Sequence, residues 1–201
     1  MKRFLILSVL ALFVLLCAPM AAQATVTGVS MGGHGTADIS ADGSVTIEMD
    51  AAYDPNGNPI IKIFSTDGQP GIITLTESIH NSGTVPWTDW HEQLLVKSAD
   101  GTGWVPSPDT DNLWWGDGIN AGKAPSTNPP GTWAVDHPND VMTLWFPKTP
   151  VFPSQKLIIT KEILIPEGMT TFAIAEWPTV PEPSVMLLAG FGVLALLKRR
   201  K

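Results

Sequence analysis

The chain has 201 residues, with 12 Lys+Arg against 19 Asp+Glu, and 44 % of its residues are hydrophobic. This length predicts one domain with terminal appendages. Residues 25–180 hold 6 Lys and 18 Asp+Glu, a formal net charge of −12. Such a charge repels phosphate backbones and excludes nucleic acid as an expected partner. Eight Trp supply more apolar surface than a fully disordered chain would carry.

Residues 1–24 have the pattern of a secretory signal peptide. A basic start and an apolar run, residues 4–17, precede Ala22-Gln23-Ala24, which has the A-x-A form of a cleavage site. The run has about 14 residues, fewer than the roughly 20 that a membrane-spanning helix needs. We therefore expect the Sec translocon to export the chain and signal peptidase to cut after Ala24. Cys17 is the single cysteine, so the mature chain is expected to have no disulfide.

Residues 25–179 are predicted to form one exported domain built from β-strands. In Val45-Thr46-Ile47-Glu48-Met49, apolar and polar residues alternate as a half-buried strand requires. Pro166-Glu167-Gly168 predicts a hairpin turn between the last two strands. Short strands separated by turn residues favour an all-β fold, a β-sandwich of immunoglobulin-like or jelly-roll type. The predicted strands are 44–49, 60–65, 72–79, 93–97, 141–146, 156–165 and 169–176.

Residues 99–140 interrupt this regular spacing with a long stretch rich in Gly, Pro, Asn and Asp. Because exposed Trp is costly, we expect a partly ordered excursion that its tryptophans fasten to the sandwich. Two interpretations of the loop tryptophans stay open: they fill or cap the core, or their faces stack on the sugar rings of a polysaccharide. Trp145 is expected to fill the core or to cover one of its open ends. The candidate glycan contacts are Trp87, Trp90, Trp114 and Trp115.

No catalytic motif accounts for the polar residues of this domain. His91-Glu92 begins like a zinc-protease motif, but Leu95 stands where the second histidine is needed. The four histidines are spread along the chain and are expected to act singly. Asp109, Asp111 and Asp117 form a calcium candidate, although the EF-hand register breaks between them; the alternative is a solvated acidic loop. We expect no enzymatic activity and no cofactor.

The C-terminal 21 residues combine three features in a fixed order. Pro181-Glu182-Pro183 comes first, then the apolar segment 184–197, and then the basic tail 198–201. A helix over the apolar segment is about 21 Å long, which is short for a hydrocarbon core of about 30 Å. It spans a bilayer only if the bilayer thins and the flanking lysine snorkels. The basic tail would then stay cytoplasmic. The alternatives are an ordinary tail anchor and a buried C-terminal helix.

This order of elements resembles the PEP-CTERM sorting signal of Gram-negative bacteria, over residues 180–201. The resemblance implies that exosortase, a membrane cysteine protease or transpeptidase, is the partner that processes the chain. Pro181, Glu182 and Pro183 would be its recognition motif, with the transmembrane helix 184–197 anchoring the chain in the inner membrane before processing. It also implies sorting to the cell surface or extracellular matrix and an association with exopolysaccharide and biofilm.

These observations predict an exported, non-enzymatic surface or matrix protein. The first alternative is a carbohydrate-binding module that contacts exopolysaccharide through the loop tryptophans. The second is a hydrolase acting on matrix glycan, which would need two carboxyl groups roughly 5–10 Å apart.

Overall fold

The computed structural model describes residues 24–116, 122–146 and 148–180, without the side chain of Asp109. The predicted signal peptide up to residue 23, Asp117, the Pro181-Glu182-Pro183 motif and the apolar segment with its basic tail lie outside the described residues. Within the described ranges, none of the helices has the length and apolar character needed to cross a membrane.

The described chain is all-β and forms two sheets, as predicted. The first sheet has the strand order β1-β4-β13-β6-β11-β10, and β7 also pairs with β6. All of its pairs are antiparallel. Its strands are β1 (Val26–Ser30), β4 (Ile60–Thr66), β6 (Asp89–Lys97), β7 (Trp104–Pro106), β10 (Thr132–Asp136), β11 (Val141–Trp145) and β13 (Thr171–Thr179).

The second sheet has the strand order β2-β3-β5-β12-β8, and β9 pairs with another part of β12. β3 and β5 run parallel, while the remaining pairs are antiparallel. Two short 3-10 helices, Asp109–Asp111 and His137–Asn139, lie in the connections. The strands of this sheet are β2 (Gly35–Ile39), β3 (Val45–Ala51), β5 (Gly71–Asn81), β8 (Trp114–Trp115), β9 (Ser126–Asn128) and β12 (Lys156–Ile165).

The core lies between the two sheets, and strict alternation along the strands builds it. β3 is buried at every second residue over its full length, as the period of two for side chains on a strand requires. Buried apolar residues from both sheets form one continuous cluster. Phe64 of β4 stacks on Phe172 of β13, with ring centroids 4.9 Å apart. The sheets therefore pack face to face as a sandwich.

The predicted hairpin over residues 156–176 is wrong. β12 pairs with β5, β8 and β9 in the second sheet, whereas β13 pairs with β4 and β6 in the first sheet. The turn at Pro166-Glu167-Gly168 therefore carries the chain from one sheet to the other. Both edges of β12 are already paired, so β13 has no place beside it. Local turn residues do not distinguish these two connections.

The Trp-rich excursion 99–140 contains short strands rather than a structureless loop. β7 extends the first sheet, β8 and β9 line β12 of the second, and β10 forms the outer strand of the first sheet. Trp115 is buried in the common core and donates a hydrogen bond from Nε1 to the carbonyl oxygen of Asp140, at 2.9 Å. This contact fastens the middle of the excursion to its end, so the expected attachment through an aromatic residue is confirmed for Trp115.

Candidate functional site

Five charged side chains lie inside the sandwich, where the alternation of the strands calls for apolar residues. Each is fully buried or 1 % exposed. Both sheets contribute: β4, β6 and β13 from the first, and β5 and β12 from the second. We call this set the charge cluster; its members are Lys62, Glu77, Glu92, Lys161 and Glu176.

Lys161 is the centre of the charge cluster because it contacts all three carboxylates. Its Nζ donates to Glu77 Oε2 at 2.8 Å and to Glu176 Oε1 at 3.4 Å, and it also donates to Glu92 Oε2. Lys62 forms ion pairs with Glu77 and with Glu176. The ion pairs from Lys161 to Glu92 and from Lys62 to Glu77 each join one sheet to the other.

The strand register forces two carboxylates against each other. Glu92 and Glu176 are directly opposite on the neighbouring strands β6 and β13, an arrangement that is destabilising when both are ionised. Each also keeps one oxygen without a hydrogen-bond partner, Glu92 Oε1 and Glu176 Oε2. A buried acceptor of this kind costs free energy because it has lost its water.

The two apposed carboxyls and the third one differ in their proton affinity. Burial raises the pKa of Glu92, and it raises the pKa of Glu176 well above the ordinary value, with the charge of Glu77 adding to both shifts. Burial also acts to raise the pKa of Glu77, but the ammonium groups of Lys161 and Lys62 outweigh it and lower this pKa to about 2. Two Lys and three ionised Glu would leave one excess negative charge in the core. One proton held by Glu92 or Glu176 removes it.

Carboxylate oxygens of Glu77, Glu92 and Glu176 lie within 4.8 Å of one another, a spacing that suits a metal ion. The two ammonium groups already occupy this space and supply the positive charge that a cation would bring. The indole ring of Trp115 covers Lys161, with Nζ 5.5 Å from the ring centroid. The geometry therefore describes a closed ionic network rather than an open binding site.

The sequence does contain a pattern that indicates the charge cluster, namely single charged residues at the apolar positions of alternating strands. In β5 the inward-facing positions are Ile73, Leu75, Glu77 and Ile79, and Lys161 similarly follows Leu157 and Ile159 in β12. A single charge at an apolar position of an alternating strand is the mark of a buried, paired ion.

Three of the four candidate glycan contacts are buried in the core. Trp87 and Trp90 are 0 % exposed and Trp115 is 1 % exposed, so no ligand reaches their ring faces. Trp87 and Trp90 pack on each other with centroids 5.2 Å apart. These three tryptophans take the alternative role, filling the core. Trp114, their half-buried neighbour on β8, remains a candidate.

The expectation for Trp145 is also wrong, because this side chain is 38 % exposed. On β11 the inward-facing residues are Met142 and Leu144. Because side chains alternate between the two faces of a strand, Trp145 faces outward. It lies on the outer face of the first sheet, opposite Asp89 in the register. The sequence Thr143-Leu144-Trp145-Phe146 does not reveal which of its apolar residues faces inward.

Trp145 belongs to a group of aromatic side chains on the outer face of the first sheet. Trp177 of β13 stacks on His91 of β6, with centroids 5.4 Å apart and planes 12° apart. Trp104 of β7 lies beneath Lys97, with Nζ 4.2 Å from the ring centroid. Trp104 and Trp177 flank the same small apolar cluster. We call His91, Trp104, Trp145 and Trp177 the outer aromatic patch.

The remaining candidate residues are a calcium candidate, Asp111, and two of the four histidines. The Asp111 carboxylate accepts hydrogen bonds from Ser107 Oγ at 2.9 Å and from the Leu113 amide at 2.9 Å. Of the calcium candidates, only the Asp111 side chain is among the described ones. His34 and His80 line one surface cleft, where His80 Nδ1 lies 2.8 Å from Asp50 Oδ1. Sequence analysis did not predict that these two histidines lie in the same cleft.

A family model described as the PEP-CTERM protein-sorting motif matches residues 179–201. The resemblance noted at residues 180–201 is therefore confirmed, and the chain carries this sorting motif. The motif implies exosortase as the processing partner, and export with membrane-anchored sorting before processing. No curated protein and no solved structure matches the chain.

Proposed function

We propose that the β-sandwich is a non-enzymatic component of the cell surface or extracellular matrix, associated with exopolysaccharide in a biofilm. The sorting motif carries this proposal, because it directs the chain to exosortase and its match begins at the last residue of β13. The charge cluster supports the non-enzymatic part of this proposal. Its carboxyl groups contact lysines and are buried away from solvent.

The sorting step is tested by expressing the full chain in a host with an active exosortase and in a matched host lacking it. We expect loss of residues 1–24 in both hosts, and truncation near Pro181 only when exosortase is present. Intact mass and C-terminal peptide mapping of the purified product measure both events. Retention of Lys198–Lys201 in both hosts would contradict the proposal and leave a plain tail-anchored domain.

A carbohydrate-binding role is the second candidate, and the outer aromatic patch favours it. Exposed indole faces stack on sugar rings, and the patch places Trp145 near the outward-facing polar groups of Asp89 and Thr143 on paired strands. His91 holds Trp177 in a fixed orientation by stacking. The patch thus lies on paired strands, which hold side chains in place more precisely than a loop does.

Retention on the exopolysaccharide of the producing cell tests this second candidate. Trp145→Ala is expected to lower retention about fivefold, because a lost stacking contact is worth on the order of 1 kcal/mol. Tyr53→Ala is the matched control, since Tyr53 is 39 % exposed and lies outside the patch. Equal retention of both variants and the wild type would reject the patch as the glycan site. A Trp114→Ala variant tests the surviving sequence-based candidate in the same assay.

The hydrolase alternative has less support in the described residues. The carboxylates of Glu77, Glu92 and Glu176 come close together there, but all three are 0 % exposed, so a glycan cannot reach them. A glycosidase needs its two carboxyls beside the scissile bond. Release of reducing sugar from the exopolysaccharide by the purified protein would restore this alternative.

A further inference from the structure

We propose that Lys161 and Glu92 condense to a side-chain amide that covalently joins the two sheets of the sandwich. Three observations lead to this inference: the contact between the reacting groups, the carboxyls placed around them, and the exclusion of water from the cluster. It goes beyond the sorting and matrix roles and does not depend on them.

The reacting groups are held together by the fold. Lys161 Nζ donates to Glu92 Oε2, and both side chains are buried. β12 and β6 lie in different sheets, so packing of the sheets brings the amine and the carboxyl together. Groups fixed in this way react with effective concentrations far above those available in solution.

The neighbouring carboxyls provide the proton transfers. Glu77 Oε2 lies 2.8 Å from Lys161 Nζ, and Glu176 Oε1 lies 3.4 Å from it. The Glu77 carboxylate already accepts a hydrogen bond from Nζ, so it is placed to take the proton that the amine must lose, and Glu176, whose pKa burial raises, is placed to hold a proton. A proton acceptor and a proton donor therefore flank the same nitrogen.

The step balances without an oxidant, a reductant or a co-reactant. The Lys161 ammonium gives one proton to Glu77, while Glu176 protonates an oxygen of Glu92. The free amine attacks Glu92 Cδ, forming the C–N bond, and the nitrogen returns a second proton to Glu176. Glu77 then protonates the leaving hydroxyl, the C–O bond breaks, and one water is released. Glu77 ends as a carboxylate and Glu176 as an acid, as they began.

Burial favours the product. In water, an ammonium and a carboxylate are strongly solvated and resist condensation, but this solvation is lost in the core. The amide replaces two buried charges with one neutral group and removes one of the Glu92 oxygens, of which Oε1 has no partner. The described residues contain no cysteine, so a disulfide cannot join the two sheets within them.

Tryptic mapping of the folded full-length protein tests the proposal. An unlinked chain gives peptide 157–161, cut after Lys156 and Lys161, together with linear peptide 63–97, which contains Glu92. We expect peptide 157–161 to be missing and a branched peptide to join residues 63–97 to the segment containing Lys161. The branched peptide is expected to be lighter than its two parts by one water, about 18 Da.

Two substitutions make the assignment specific. Lys161→Arg keeps the positive charge and the tryptic site but cannot form this amide, so it is expected to give the linear peptides. Lys156→Arg changes an exposed lysine of β12 outside the charge cluster and keeps the tryptic site, so it is expected to keep the branched peptide. If Lys161→Arg does not fold, the wild-type map alone decides. Recovery of linear 63–97 and 157–161 from folded wild-type protein, or a branch at Lys62, would overturn the proposal.

Discussion

Charged residues at inward-facing positions are the decisive feature at the residue scale. Lys62, like Lys161, compensates carboxylates that have no access to water. Removing one member of such a network leaves the others as uncompensated buried charges, which costs far more than the pair contributes when intact. The stability of the domain should therefore depend strongly on single polar substitutions in its core.

Lys62→Met is expected to lower the free energy of unfolding by about 3–5 kcal/mol, because Glu77 and Glu176 each lose an ion-pair partner. Urea denaturation followed by Trp fluorescence measures this loss. The control is Lys156→Met: its ammonium lies 3.9 Å from Glu48, and both side chains are more than half exposed. This control should change the free energy by less than about 0.5 kcal/mol. Similar losses in the two variants would contradict a role for burial.

The raised pKa of Glu176 makes stability depend on pH. The folded protein holds a proton there that the unfolded chain releases near its ordinary value of 4.5. Since the folded state binds more protons above this value, Glu176 makes the free energy of unfolding fall as pH rises from about 4.5 toward the raised pKa. Glu92 acts in the same direction. The pKa values of Glu77 and of several surface aspartates are lowered, so these groups affect the free energy of unfolding below this pH range.

Glu176→Gln is expected to reduce this fall, because Gln keeps the size of the side chain without titrating. Urea denaturation between pH 4.5 and 8 gives the free energy of unfolding of the wild type and of the variant. The contributions of other titrating groups, such as His91, cancel in the difference between the two. An unchanged pH dependence in the variant would show that Glu176 does not hold the proton.

At the scale of strands, close contact between neighbouring backbones limits substitution. Gly35 begins β2, opposite Met49 of β3. A Cβ at this position would lie 2.8 Å from Met49 Cα and still closer to the Glu48 carbonyl oxygen. Both of these atoms belong to the backbone of β3, so β2 or β3 has to move to make room for the new Cβ.

Gly35→Ala is therefore expected to lower the free energy of unfolding by about 1–3 kcal/mol, measured by thermal or urea denaturation. Gly28→Ala is the matched control on the other edge strand, β1, where a new Cβ meets Ser65 Cβ at 3.9 Å. Equal effects of the two substitutions would mean that β2 can shift away from β3 without cost.

The sequence predicted strands well where burial alternates and poorly where it does not. All seven predicted strands are present, because each has an apolar inward face; strand 156–165 has the predicted ends, and the other six differ at one or both ends. β2 and β10 were missed, since their residues are mostly exposed or half-buried. The charge cluster required knowledge of topology: Glu92 and Glu176 meet only because β13 lies beside β6. No local pattern in the chain specifies that neighbour.

At the scale of the whole molecule, the sorting motif follows the last strand directly in the sequence. The motif match begins at residue 179, where β13 ends. The sequence correctly identified the motif because its elements are local and ordered. The role of the exported sandwich was harder to predict, because tryptophans that look alike in the sequence divide between the core and the outer face.

The position of the motif after β13 decides where a force applied at the C-terminus would enter the domain. Such a force would act along β13, which is hydrogen-bonded to β4 on one side and β6 on the other. The bonds of antiparallel strands lie perpendicular to the pull, so they are loaded together in shear instead of being peeled apart singly. The side chain of Glu176, three residues from the end of β13, also contacts both buried lysines. A force applied at the end of β13 would therefore meet two neighbouring strands at once.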